Sequence, residues 1–184
     1  MVFFVLENSI LGIVSMCEVE IGGKMRILVV SDSHGRNEGL NKAIEQAGTF
    51  DYFLHLGDLE GSQYFIDTFV EGQKVLLSGN NDYGLEYKME EVLELQGHKI
   101  FMAHGHQYQV HSGVRWIYEA GMHKGADVVL FGHTHRPYVE EQEGVLILNP
   151  GSISLPRQMD FTPTYAILEL SETGEVKAEI FRVE

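Results

Sequence analysis

From Met25 onward, short apolar runs alternate with stretches in which apolar residues recur every three or four positions. That is the pattern of strands alternating with amphipathic helices, and it predicts an α/β protein. Residues 26–30 predict a first strand. Residues 37–47 predict a helix with Asn37 as its N-cap and Leu40, Ala43, Ile44 and Ala47 as its apolar face. The unit repeats with a strand at 52–55, a loop at 56–60 and a helix running to Phe69. A third strand at 74–77 leads into a polar loop at 78–84. Beyond it the pattern predicts a hairpin (88–95 and 99–103), a helix at 114–123, a strand at 127–131 and strands at 138–141 and 145–148. A closing hairpin, 165–170 and 175–183, turns about Gly174.

Residues 1–24 are patterned more weakly. The apolar runs 2–6 and 10–14 could each pack as an edge strand or helix. A second reading is that codons for Gly22, Gly23 and Lys24 contain a purine-rich ribosome-binding sequence, so that the natural product begins at Met25 and residues 1–24 are a leader outside it. N-terminal sequencing of native protein that found Met1 would contradict that second reading. Either way, 25–184 is expected to be one domain, since 184 residues suit a single core.

Charge narrows the function classes. A formal net charge of −14, with no run of Lys or Arg, disfavours an extended nucleic-acid surface or docking on anionic lipid, so a phosphate-bearing ligand must be attracted locally. Cys17 is the only cysteine; it can form neither an intramolecular disulfide nor a CxxC zinc site, which fits a cytoplasmic protein. No apolar stretch is long enough to span a bilayer.

The chemistry concentrates in five segments that each follow an apolar run: Asp32-Ser33-His34, Gly57-Asp58, Gly79-Asn80-Asn81-Asp82, His104-Gly105-His106 and Gly132-His133-Thr134-His135. Alone, an Asp-x-His is more often a turn than a site, and a Gly-Asp is nearly uninformative. Together they offer carboxylate, amide oxygen and imidazole, a donor mixture suited to divalent ions, on loops expected to converge beyond the strand ends. The glycines beside them permit tight turns and close backbone approach. Elsewhere, His55 reads as a packed, hydrogen-bonded residue, and His98, His111 and His123 as surface residues. Trp116 and Ile117, with Val114 and Gly121, read as core or cavity wall. Arg36 and Arg157 are candidates for binding a phosphate oxygen through the guanidinium fork.

Ser31-Asp32-Ser33-His34-Gly35, His55-Leu56-Gly57-Asp58, the Gly-Asn-x-Asp segment, His-Gly-His, Gly-His-Thr-His, Asn149-Pro150-Gly151-Ser152 and Pro156-Arg157 resemble the calcineurin-like metallophosphoesterases. The resemblance is to their small bacterial and archaeal phosphodiesterase branch, related in fold to a retromer subunit, and it covers Met25 to about Glu184. It implies a four-layer αββα sandwich with two facing mixed β-sheets. It further implies two divalent ions, one on Asp32, His34, Asp58 and His135 and the other on Asp58, Asn80, His104 and His133, with Asp58 as the bridge. Manganese is the expected metal, with nickel, iron or zinc as alternatives.

The implied activity is hydrolysis of a small-molecule phosphodiester by a metal-bound hydroxide. Alternatives are a phosphomonoesterase, a nucleotide pyrophosphatase or, in another class, a metal-binding interaction scaffold; an oligomer is compatible with the sequence. One departure stands out at Asn81, where most of the superfamily has a His able to protonate the leaving group. Asn81 is expected to act in catalysis by hydrogen bonding alone, with His106 as a partial replacement for the missing acid.

Overall fold

The computed structural model describes residues 23–184, so the expectation for a leader falls almost wholly outside the described residues. The first strand, β1 (Met25–Val30), is followed by α1 (Glu38–Ala47), β2 (Tyr52–His55), α2 (Ser62–Phe69) and β3 (Gln73–Leu76). Then come β4 (Glu90–Leu95), β5 (His98–Ala103), α3 (Arg115–His123), β6 (Val128–Phe131), β7 (Pro137–Gln142), β8 (Val145–Pro150), β9 (Thr164–Leu170) and β10 (Val176–Arg182). Two short 3₁₀ turns, His106–Tyr108 and Val110–Ser112, lie between β5 and α3.

The strands form two five-stranded sheets, ordered β10-β9-β1-β2-β3 and β4-β5-β6-β8-β7. Both are mixed. In the first, β1, β2 and β3 run parallel, and β9 pairs antiparallel with both β1 and β10; in the second, β5, β6 and β8 run parallel, with β4 and β7 antiparallel at its edges.

Alternation along β1 explains the layering, because successive strand residues point to opposite faces. Ile27 and Val29 face the second sheet and join Leu54, Ile100, Met102, Val128, Leu130 and Leu168 in a core between the sheets. Leu28 and Val30 face outward, under Leu40 and Ala43 of α1 and Ile66 of α2. On the far side, α3 lays Ile117 and Tyr118 over Phe101, Val129 and Ile147. Helix, sheet, sheet and helix therefore stack in four layers, as the resemblance implies.

Local expectations fared unevenly. Asn37 occupies the N-cap position of α1 but its side chain makes no capping bond, since its backbone is already helical. His98 is buried rather than on the surface: following the Gly97 turn, it folds under the hairpin and pairs with Asp127 at 2.6 Å. Trp116 is exposed, with Arg115 stacked on its ring, because the buried stripe of α3 is Ile117, Tyr118 and Gly121.

Candidate metal centre

The parallel strands of both sheets end at the same edge of the sandwich, and the five chemistry-bearing segments leave from those ends. The ladder between β1 and β2 continues into the loops: the Asp32 N–H donates to the Gly57 carbonyl, His34 N–H to Asp58 and Gly35 N–H to Leu59, at 3.1, 3.0 and 2.9 Å. Beyond β3, the buried Asp82 carboxylate accepts the N–H groups of Leu59 and Glu60 on Oδ1 and that of Gly79 on Oδ2, at 2.8, 2.9 and 2.8 Å. Asp82 thus ties the Asp58 and Asn80 loops together.

The ligand-type residues hold unusual backbone. Asp32, His34, Asp58, His133 and His135 all have positive φ, between 47° and 66°. A side chain rarely adopts that region, at a cost of about 1–3 kcal/mol each, and such strain collects where the surrounding fold aims side chains for a purpose.

Asp32, His34, Asp58 and His135 each offer one donor atom within 4.8 Å of the others. His135 Nε2 lies 3.2 Å from Asp32 Oδ1 and 3.3 Å from His34 Nε2. On the other side, His104 Nε2 is 3.5 Å from Asp58 Oδ2, and the His104 and His133 rings are 5.1 Å apart. Asp32, Asn80 and His104 each leave a buried donor atom, Oδ1, Oδ1 and Nε2, without a hydrogen-bond partner. An orphaned polar atom in the interior is costly unless something binds it. Two of these orphans, Asp32 Oδ1 and His104 Nε2, lie 3.9 Å apart within one cluster of carboxylates and imidazoles, which fits divalent ions.

Second partners set the imidazole faces. His104 Nδ1 donates to the Leu56 carbonyl at 2.8 Å, His135 Nδ1 to the Leu155 carbonyl at 2.7 Å and His34 Nδ1 to Glu60 Oε2 at 3.1 Å. Each bond occupies one ring nitrogen and turns Nε2 toward the cluster, the arrangement that orients metal-binding histidines.

Without an ion, the cluster is electrostatically coupled. Burial pushes the Asp32 and Asp58 carboxyls up, but their histidine neighbours, and for Asp58 the donors of Asn81, outweigh it, so both titrate below the ordinary carboxylate range. Burial likewise pulls His104 down, yet the adjacent carboxylates of Asp58 and Asp32 raise it overall. His133 falls to about 4, from burial and then the charges of His104 and His111.

Glycines beside the ligand-type residues are required by contact. A methyl group on Gly79 would stand 2.1 Å from Asp58 Oδ1, and one on Gly132 would stand 2.0 Å from Ser31 Oγ.

Asn81 lies against Asp58: its backbone N–H reaches Oδ1 at 2.9 Å and its Nδ2 donates to Oδ2 at 2.7 Å. His106 stands at the margin, its ring 5.5 Å from that of His104 and 6.0 Å from that of His133, with burial lowering its pKa. Arg36 and Arg157 are exposed, and neither guanidinium makes a hydrogen bond or ion pair among the described residues. His55 is buried and packed as expected, with Nδ1 accepting the Gly57 N–H at 3.2 Å and Nε2 bonded to Ser33 Oγ at 2.9 Å. His111 is exposed, yet its ring packs 4.6 Å from that of His133.

Residues 25–173 match the model of the calcineurin-like phosphoesterase superfamily domain. The chain belongs to this superfamily. Among curated relatives of this calcineurin-like phosphoesterase, a "Probable metallophosphoesterase" of Bacillus subtilis is 36% identical over 149 residues, covering 79% of this chain and 85% of the relative. A phosphodiesterase of Methanocaldococcus jannaschii is 31% identical over 146 residues, covering 69% and 83%. A solved "predicted phosphoesterase" of Streptococcus pneumoniae superposes with a TM-score of 0.69 at 27% identity, covering 87% of this chain and 98% of that one. Vacuolar protein sorting 29 of Cryptosporidium parvum shares the fold, with a TM-score of 0.71 at 19% identity and coverage of 86% and 98%. The protein is thus a metal-dependent phosphoesterase, a hydrolase whose His and Asp cluster is suited to divalent metal. No helix among the described residues is long and apolar enough to cross a membrane.

Proposed function

We propose that the protein is a phosphodiesterase with a dinuclear centre. One ion would be held by Asp32, His34, Asp58 and His135, the other by Asp58, Asn80, His104 and His133, with manganese as the working metal in the cytoplasm. The observation that carries this reading is the pair of orphaned buried donors, Asp32 Oδ1 from the first sheet and His104 Nε2 from the second, 3.9 Å apart; Asn80 Oδ1, on the loop after β3, is likewise buried without a partner. Asp58 suits the shared position, since its Oδ2 lies 3.8 Å from His34 Nε2 on one side and 3.5 Å from His104 Nε2 on the other.

Two bound divalent ions supply Lewis acidity and a water made acidic enough to attack near neutral pH. The chain's own contribution is orientation. Asn81 fixes the Asp58 carboxylate plane, Asp82 holds the two loops in register, and Glu60, Leu56 and Leu155 turn the three imidazoles inward. Asn81 carries no proton to give a departing alkoxide. His106 lies close enough to the cluster to assist from its margin, and Arg36 and Arg157 are free to meet a phosphate oxygen. The net charge of −14 makes a small-molecule diester a better substrate than a long polyanion.

The test is hydrolysis of an activated aryl phosphodiester, with the matching monoester in parallel, by metal-stripped protein with and without manganese. The expected result is manganese-dependent diester turnover that disappears in Asp58→Asn. Preferential monoester turnover would make the protein a phosphomonoesterase; bound metal without turnover of any phosphate ester would favour an interaction scaffold.

A further inference from the structure

Beside the metal centre lies a cleft of about 350 Å³ that the chemistry above leaves unused. Its wall is apolar over most of its extent: Val110, Val114, Phe131, Pro137 and Tyr138 line it, with His111, Thr134 and Arg136 at its polar edge. Small-molecule sites are likewise mostly apolar with a few polar groups that fix orientation, and this volume lies at the lower end of their size range.

The cleft is continuous with the metal loops. Thr134 separates His133 from His135 in the chain, and Phe131 ends the strand that delivers both. Val110 packs against Gly105, the residue after His104. His111 forms the shared wall, lining the cleft while its ring lies 4.6 Å from the His133 ring. A phosphoryl group held at the centre therefore has the cleft within reach of one of its ester groups.

The floor selects for shape. Phe131 is only 2% exposed and Val110 5%, so both are held by the core beneath α3. Phe131 and Tyr138 form a tilted aromatic pair with centroids 6.1 Å apart. A further ring placed against this pair in an offset or edge contact gains about 0.5–1.5 kcal/mol beyond the burial of its area. Arg136 at the rim has its Nε occupied by the Arg157 carbonyl at 3.2 Å, which leaves the terminal nitrogens of its fork for a polar substituent or anion on the incoming group.

We infer that this cleft is the subsite for an aromatic ester group, so that the enzyme selects phosphodiesters bearing an aryl or base-bearing substituent. The inference rests on the metal centre binding the phosphoryl group and adds where the rest of the substrate lies. Val114 is the specificity position, being partly exposed at the start of α3 and turned to the cleft.

Binding of methylphosphonate and phenylphosphonate to the full-length, manganese-loaded protein, followed by calorimetry, separates the two claims. Methylphosphonate reports the metal centre alone. Phenylphosphonate is expected to bind about tenfold to a hundredfold tighter, the gain from burying a ring. Val114→Trp, which fills the cleft, and Tyr138→Ala, which removes an aromatic wall, should each bring that ratio close to one. Equal affinity of the two phosphonates for the unaltered protein would overturn the subsite and leave the metal centre standing, as would a ratio unchanged in both variants. Failure of both phosphonates to bind, with manganese retained, would overturn the metal centre as a phosphoryl site and the subsite with it.

Discussion

His104 Nε2 and Asp58 Oδ2 face each other across the two sheets at 3.5 Å, the carboxylate arriving on the loop after β2 and the imidazole at the end of β5. Because Asp58 and Asp32 raise its pKa, His104 in the metal-free protein keeps its proton to higher pH than an ordinary histidine. A divalent ion at Nε2 must displace that proton, so uptake should release protons at pH values where an ordinary histidine is already neutral, and should tighten as pH rises. Calorimetric titration of metal in two buffers of different protonation enthalpy measures the number released. Identical heats in both buffers would contradict the assignment of His104 as a donor.

Gly79 admits no side chain, because a methyl group would overlap Asp58 Oδ1 at 2.1 Å. Gly79→Ala should displace the Asp58 loop, costing about 1–3 kcal/mol in stability and weakening metal binding at least tenfold. Metal content after dialysis, compared with the far-ultraviolet dichroism of the same sample, distinguishes a moved carboxylate from a lost fold.

Asn81 makes its two bonds to Asp58 and has no proton to donate to a leaving group. Turnover should therefore fall steeply as the leaving-group pKa rises across a series of aryl and alkyl diesters, since an absent general acid is worth about 10²–10⁴-fold. A flat series would show that another group protonates the product. Asn81→Ala should lower turnover about tenfold to a hundredfold even for an acidic phenol, through loss of a hydrogen bond to a charged carboxylate.

His55 is fully buried and its pKa is pulled down to about 4 by that burial, so it is neutral in the fold. In the unfolded chain it titrates near the usual ~6.5. Its stabilising contribution is complete above that value and is lost as pH falls from there through about 4, on the order of 3 kcal/mol in all. Thermal melts of metal-free protein should therefore decline over that window, and His55→Gln should flatten the decline while lowering stability at pH 7. An equally steep acid limb in the variant would assign the loss to other groups.

Much of the fold could be read from the chain because apolar periodicity is local. Strands such as β1 and β6 and the buried stripe of α3 announce themselves in a few residues. Sheet order could not be read that way: β9 pairs with β1 from the other end of the chain, and β8 pairs with β6 although β7 intervenes in the sequence. The ligand-type residues were visible as a conjunction of motifs, whereas their supports were not. Leu56 and Leu155 act through backbone carbonyls, which any residue offers, and Glu60 resembles an ordinary surface acid until His34 is seen 3.1 Å away. Asp82 belonged to a motif, but its grip on three N–H groups appears only when two loops meet. The burial of His98 followed from its partner Asp127, 29 positions on.

The ligand-type residues are divided between the two halves of the chain. Asp32, His34, Asp58 and Asn80 lie on the first half; His104, His133 and His135 lie on the second. While the polypeptide is being synthesised, the emerging β1-α1-β2-α2-β3 segment holds two of the carboxylates, an amide and a single imidazole, and lacks the β9 strand that pairs with β1. The ribosome must release the second sheet, and β9 and β10 after it, before the first sheet is complete and the two groups of residues can meet, so on the proposed reading a nascent or clipped chain holds only half of the site.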